Sequence, residues 1–197
     1  PSALFLDRDG ILNEMVYDPT HGLFDSPRRP EQVRAVAGAG AFLCEARARG
    51  FFLSVVTNQP GVAKGTLTLA ELGAAHARLA ELLARDGGRW DELRFCHHHP
   101  AAGPGADPAY VRCCDCRKPA PGMLLAALRE HGLDAGSSWM IGDGLNDVQA
   151  GRAAGCRTIL IARLKIEQIE RFVELGAEPD DVVPDLRAAL DRLPLRA

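Results

Sequence analysis

The sequence predicts an α/β fold: a Rossmann-like, doubly wound parallel sheet covered by helices on both faces, with no large cap domain. Three observations predict it. Short apolar, β-branched or aromatic runs alternate with helix-like segments along the whole chain. The first such run is apolar throughout, as a strand buried on both faces would be. Polar clusters also sit directly after strand-like runs, where open α/β sheets bind their ligands.

Residues 3–7 open the pattern as an apolar strand ending in an acid, and 37–49 have helical spacing that stops at Gly50. Residues 51–57 (FFLSVVT) read as a strand. Residues 68–85 read as a helix, with Thr68 and Glu71 at capping-box spacing and Gly87-Gly88 closing it. A strand over 92–96, a helix over 121–131 and a strand over 138–141 follow. Next come a helix over 147–154, a strand over 158–161 and a helix over 166–175. Residues 181–183 and 186–193 end the series. Two segments interrupt the rhythm, 18–30 and 100–108; both are rich in turn formers and read as surface loops.

The 197 residues are 47% hydrophobic and 25% charged, which fits one domain, residues 1–197, with a sizeable core and excludes a disordered or fibrous chain. No apolar run approaches the roughly 18–20 residues of a membrane span, and no signal peptide is expected before the first strand. A net charge of -3 argues against a general nucleic-acid binder. A monomeric, cytoplasmic protein acting on a small molecule, without membrane or nucleic-acid partners, is expected.

Four clusters fall at expected strand ends or just before a helix: Asp7-Arg8-Asp9-Gly10, Thr57-Asn58-Gln59, Arg117-Lys118-Pro119 and the run from Gly142 to Asp147. Each alone is ordinary turn or surface chemistry. Together they make a phosphoryl-transfer set. Asp7 can attack phosphorus; Asp9 can protonate a leaving oxygen and later deprotonate water. An anionic nucleophile approaching an anionic ester needs positive charge, which Lys118 and a divalent cation supply. Asp143 offers a hard oxygen suited to Mg²⁺, and Thr57 offers a hydroxyl to a phosphate oxygen. Arg28 and Arg29 could meet a second phosphate.

Six cysteines are present. Cys44 and Cys156 lie alone in apolar stretches and read as buried thiols. Cys96, Cys113, Cys114 and Cys116 crowd around a histidine run, and Cys-x-His followed by Cys-x-Cys supplies a closed tetrahedral donor set for structural Zn²⁺ over about residues 96–116. Spacing leaves His97, His98 and His99 open as ligands, and Cys113 competes with Cys114.

The stretches FLDRDGILN (5–13), VVTNQPGVAKG (55–65), CHHHP (96–100), CDCRKPAPGML (114–124) and IGDGLNDVQAG (141–151) resemble the haloacid dehalogenase superfamily of phosphatases. Within it they resemble the group that holds heptose bisphosphate phosphatases and histidinol-phosphatases. The resemblance implies Asp7 as nucleophile, Asp9 as acid/base, and Thr57 and Lys118 as phosphate holders. It implies Asn58 and Arg117 as substrate contacts, and Mg²⁺ on the side chains of Asp7 and Asp143 and the carbonyl of Asp9. It also selects Cys96, His98, Cys114 and Cys116 as the zinc ligands. Arg29 joins the expected substrate-binding residues through a second phosphate. A sugar bisphosphate is the expected substrate, histidinol phosphate the alternative, and a zinc-stabilised binding module with a vestigial site the reading from another class. The sequence departs from the family at Ile11, where a hydroxyl is usual, at Gly144, where Lys or Arg is common, and over 15–18, where an Asp-His-Gly-Tyr-like segment is usual.

Overall fold

The computed structural model describes residues 1–19, 22–101, 103–162 and 166–195, without the side chains of 166–169. In chain order its elements are β1 (Ala3–Leu6), β2 (Val16–Asp18), β3 (Leu23–Asp25), α1 (Ala39–Ala48), β4 (Phe52–Asn58), α2 (Leu69–Ala84) and β5 (Glu92–Cys96). Then follow α3 (Gly122–Glu130), β6 (Trp139–Gly142), α4 (Leu145–Ala153), β7 (Arg157–Ile161), α5 (Ile166–Glu174), β8 (Asp181–Val183) and α6 (Leu186–Arg192).

Six strands form one parallel sheet in the order β5-β4-β1-β6-β7-β8. The chain winds outward one way from β1 through β4 and β5, then the other way through β6, β7 and β8. The winding reverses at β1, so the crevice at the carboxyl ends of β1, β4 and β6 is where such a sheet binds ligand. β1 is apolar throughout because both its faces are covered. Leu4 and Leu6 join a core under α1, α2 and α6, while Ala3 and Phe5 join a second core under α3 and α4.

The expected sheet and helices are all present among the described residues, with ends shifted by a residue or two. The Thr68 hydroxyl accepts the Glu71 N–H at 3.1 Å and the Glu71 carboxylate accepts the Thr68 N–H at 2.8 Å, so the capping box forms as the spacing predicts. α4 starts two residues before the expected 147. Extended Gly144 begins it, and the Asp147 carboxylate reaches back to the Gly144 N–H at 3.2 Å.

The segment expected as one loop over 18–30 differs. β2 and β3 pair as an antiparallel hairpin, with Tyr17 opposite Phe24 and their rings 5.3 Å apart. The triplets VYD and LFD at its flanks are short but β-prone, and their side-chain pairing outweighs the turn formers beside them. Cys44 is exposed rather than buried: it falls between the inward positions Leu43 and Ala46 on α1, and the helical twist turns it out. Cys156 is buried as expected.

Candidate active site

Asp7 follows β1 directly, tied by its N–H to the Ile141 carbonyl at 2.9 Å, so its carboxylate sits between β1 and β6. β4 carries Thr57 and Asn58 to the same end of the sheet, the turn after β6 carries Asp143, and the first turn of α4 carries Asp147. These residues line one open cavity of about 290 Å³ together with Asp9, Met15, Ser26, Pro60, Arg117, Lys118, Gly144 and Asn146.

Lys118 is the charge at its floor. Only 2% exposed, its Nζ donates to Asp7 Oδ1 at 2.9 Å, Asp147 Oδ1 at 2.6 Å and the Val56 carbonyl at 2.8 Å. Burial works against its charge, but Asp147 and Asp7 outweigh burial and hold it well above the ordinary lysine range. Asn58 fixes the lysine's backbone: Asn58 Oδ1 accepts the Lys118 N–H at 3.0 Å and its Nδ2 donates to the Lys118 carbonyl at 2.9 Å. Among the described residues these bonds use one of the two amide hydrogens and one of the two Oδ1 lone pairs of Asn58.

The carboxylates of Asp7, Asp143 and Asp147 offer oxygens within 4.8 Å of one another. Burial raises Asp7 most, Asp147 and Asp9 push the same way, and Lys118 opposes without cancelling, so its carboxyl is pushed up to about 7. Burial and then Asp147 push Asp143 up to about 6. Hard oxygens whose mutual repulsion a cation would relieve fit a divalent ion. The approach is close: Gly10 has φ +80°, and a Cβ there would lie 2.0 Å from Asp143 Oδ2.

Asp9 is held differently. Burial acts to raise it, but the Arg8 guanidinium with hydrogen bonds from Ser26, Asn13 and Arg8 holds its carboxyl below the usual range. Thr57 is buried in the cavity wall, its Oγ1 accepting from Gln59 Nε2 at 2.9 Å.

With this geometry in place, comparisons with known proteins speak to it. A HAD-hydrolase-like family model matches residues 115–189. The D-glycero-beta-D-manno-heptose-1,7-bisphosphate 7-phosphatase of Pseudomonas aeruginosa is 38% identical over 160 residues, 81% of this chain and 80% of that one. The chain belongs to the haloacid dehalogenase-like phosphatases. The D-glycero-D-manno-heptose-1,7-bisphosphate 7-phosphatase of Thermosynechococcus vestitus is 34% identical over 193 residues, 96% of this chain and 93% of its own. A D,D-heptose 1,7-bisphosphate phosphatase from B. bronchiseptica, solved with magnesium and phosphate, superposes with a TM-score of 0.76 at 28% identity. That likeness covers 98% of this chain and 97% of the other.

In this phosphatase the second donor cluster lies beside the first. Cys96 ends β5, and Cys96, His98, Cys114 and Cys116 bring their ligand atoms within 4.8 Å of one another. Their sulfurs lie 3.2, 3.3 and 3.5 Å apart, near the roughly 3.8 Å edge of a tetrahedron with Zn–S bonds of about 2.3 Å. His98 presents Nδ1 to Cys116 Sγ at 3.4 Å, and burial with the neighbouring Arg112 favours its neutral form, as a ligand requires. His97 packs edge-on against Tyr110 instead, His99 Nδ1 lies against the Ala101 backbone, and Cys113 is exposed. The next residues after Cys116 are Arg117 and Lys118, so the cluster adjoins the segment that carries both cations to the cavity.

Arg29 does not line that cavity. It is exposed at the start of a short 3₁₀ turn and lines an adjoining cavity of about 190 Å³ that shares Ser26 with the first. Arg28 is paired with Asp25 at 2.7 Å. Arg117 does line the catalytic cavity, and its Nη1 is buried without a hydrogen-bond partner among the described residues. Asp147 reads in the sequence only as a helix start, yet its carboxylate joins those of Asp7 and Asp143; a second acid four residues after Asp143 is the signal for it. Ile11 belongs to the core, and Gly144 caps α4 where a basic residue is common in the family.

Proposed function

We propose that residues 1–197 act as one domain, a Mg²⁺-dependent phosphatase that removes the 7-phosphate of D-glycero-D-manno-heptose 1,7-bisphosphate through an aspartyl-phosphate on Asp7. The observation that carries the chemistry is the meeting of Asp7, Asp9, Thr57, Lys118 and Asp143 at the carboxyl end of the sheet; the names of the relatives carry the substrate.

Mg²⁺, held by the carboxylates of Asp7 and Asp143 and the carbonyl of Asp9, would neutralise charge between nucleophile and phosphate. The chain's own residues do the rest. Asp7 attacks phosphorus in line with the leaving oxygen, which takes a proton from Asp9. Lys118 and Thr57 receive the phosphate oxygens, and Asp9 then accepts a proton from the water that attacks the phosphoaspartate. The unpartnered Arg117 donor and the remaining amide hydrogen and lone pair of Asn58 favour a substrate with further anionic or hydroxyl groups.

Values of kcat/KM for both heptose bisphosphate anomers, histidinol phosphate and simple sugar monophosphates test the substrate. Heptose bisphosphate leads by at least about tenfold if the reading is right, and histidinol phosphate leading would overturn it. Against histidinol phosphate stands the pairing of Asp25 with Arg28, which engages a carboxylate a cationic head could have used.

Magnesium binding is expected to depend on pH in a definite direction. The metal needs ionised carboxylates, and Asp7 and Asp143 hold protons up to about 7 and about 6, so binding releases protons. The rise in melting temperature caused by Mg²⁺ therefore grows from pH 5 to pH 7.5 and flattens above. An equal rise at both values would contradict the assignment.

The cysteine cluster is proposed as a structural Zn²⁺ site that anchors the segment carrying Arg117 and Lys118. Cys114→Ser should lose zinc by elemental analysis and lower turnover, with the sheet unchanged by circular dichroism. Full activity in a zinc-free variant would remove the anchoring role.

A further inference from the structure

Asp9 has more partners than any other carboxylate in the cavity. Its Oδ1 accepts from Arg8 Nε at 3.1 Å, Arg8 Nη2 at 2.8 Å and Asn13 Nδ2 at 2.9 Å. Its Oδ2 accepts from Arg8 Nη2 at 3.1 Å, Gln59 Nε2 at 2.7 Å and Ser26 Oγ at 2.7 Å. Arg8, Asn13 and Gln59 meet it through nitrogens that can only donate. The Ser26 hydroxyl alone among these partners can also accept.

That difference matters because Asp9, in the reading above, alternates between two forms. As the bond from phosphorus to the ester oxygen breaks, its electron pair goes to that oxygen, which takes the Asp9 proton while Asp7 bonds to phosphorus. Asp9 is then a carboxylate until water gives it a proton back. Donor-only partners suit the carboxylate and oppose the acid. A hydroxyl that turns about its C–O bond donates to the carboxylate and can withdraw its hydrogen from the acid without moving a heavy atom, which leaves the acid's one proton for the leaving oxygen.

Ser26 reaches this place through the hairpin. It follows β3 directly, and Met15 precedes β2 directly; with Val16 opposite Asp25, Met15 and Ser26 face each other at the hairpin's base, and both line the cavity. The hairpin that begins in the departing segment 15–18 thus meets the cavity through Met15 and touches Asp9 through Ser26 Oγ on its return.

We propose that Ser26 is a positioning residue for Asp9, its hydroxyl holding the carboxylate toward the leaving oxygen and turning its hydrogen away from the acid. The proposal rests on Asp9 being the acid, and the experiment separates the two. Values of kcat/KM, which report the step in which the leaving group departs, are compared on an alkyl phosphate and on p-nitrophenyl phosphate. The alkyl oxygen needs a proton and the nitrophenolate does not. Ser26→Ala is expected to lose about 10–100-fold on the alkyl ester, part of the roughly 10²–10⁴-fold that general acid catalysis supplies. On the nitrophenyl ester it should stay within about threefold, and Ser26→Thr should restore the alkyl ester. Asp9→Asn is the reference and should discriminate in the same sense, more strongly. If Asp9→Asn discriminates and Ser26→Ala loses equally on both esters or on neither, the Ser26 role is overturned. If Asp9→Asn itself does not discriminate, the acid reading falls and the proposal with it.

Discussion

An Asp7→Asn chain is expected to keep its fold, gain stability near neutral pH without added Mg²⁺, and lose turnover by at least roughly 10⁴-fold. The amide is nearly isosteric and its oxygen can still accept from Lys118, so the floor of the cavity has no reason to collapse. What it lacks is a nucleophile, because the amide oxygen cannot form the phosphoaspartate. The stability gain follows from the raised Asp7 value. An acid whose folded value is pushed up to about 7 binds protons in the native state that the unfolded chain, near 3.8, has already released. The native state is therefore penalised progressively as pH rises through that interval. Removing the charge removes the penalty. Activity and stability moving in opposite directions exclude unfolding as the cause of the loss. Urea denaturation at pH 7.5 alongside the assay checks both, and turnover within tenfold of the parent would remove Asp7 as nucleophile.

The fold was legible because its causes are local. A run such as ALFL has a strand between two covered faces as its natural home, and Thr68 with Glu71 states a helix start at fixed spacing. The line of acids, amides and cations at the strand ends was legible for a related reason: a doubly wound sheet delivers whatever follows its strands to one end. The rest is long-range. Ser26 meets Asp9 from 17 residues away, across a hairpin whose strands are three residues each and were lost among neighbouring turn formers. Gln59 looks like turn chemistry until its amide is seen to bridge Thr57 and Asp9. Arg29 shows the converse. A charge near the site in sequence has no direction, and this one lines an adjoining cavity rather than the one that holds Asp7. The three adjacent histidines could not be told apart by spacing, because which of them faces the thiols depends on the path of the chain after β5.

Lys118→Met tests the cluster from its cationic side, and its effect should be large on both stability and rate. The methionine matches the lysine stem but leaves Asp7, Asp143 and Asp147 without the ammonium that touches two of them. Breaking a buried ion pair from one side costs about 3–5 kcal/mol, because the abandoned charge stays out of water. That cost depends on pH, and its sign can be worked out. Lys118 is charged in both states below its unfolded value near 10.5, so its own titration adds no slope between pH 5 and 8. The carboxylates do. Without the lysine's opposing field Asp7 rises further above about 7, so the native variant binds more protons than its unfolded chain over a wider interval, and its stability goes on falling at pH values where the parent's has levelled off. The variant is thus closest to the parent near pH 5 and furthest from it near pH 8. Mg²⁺ recovers part of the difference by supplying charge where the ammonium stood, yet turnover stays low because the phosphate oxygens have lost their fixed donor. Urea midpoints for parent and variant at pH 5.5 and pH 7.5, with and without Mg²⁺, read the whole pattern. A deficit that does not change with pH would mean that Lys118 stabilises by packing alone, and that its contact with Asp7 is not the electrostatic hinge of the site.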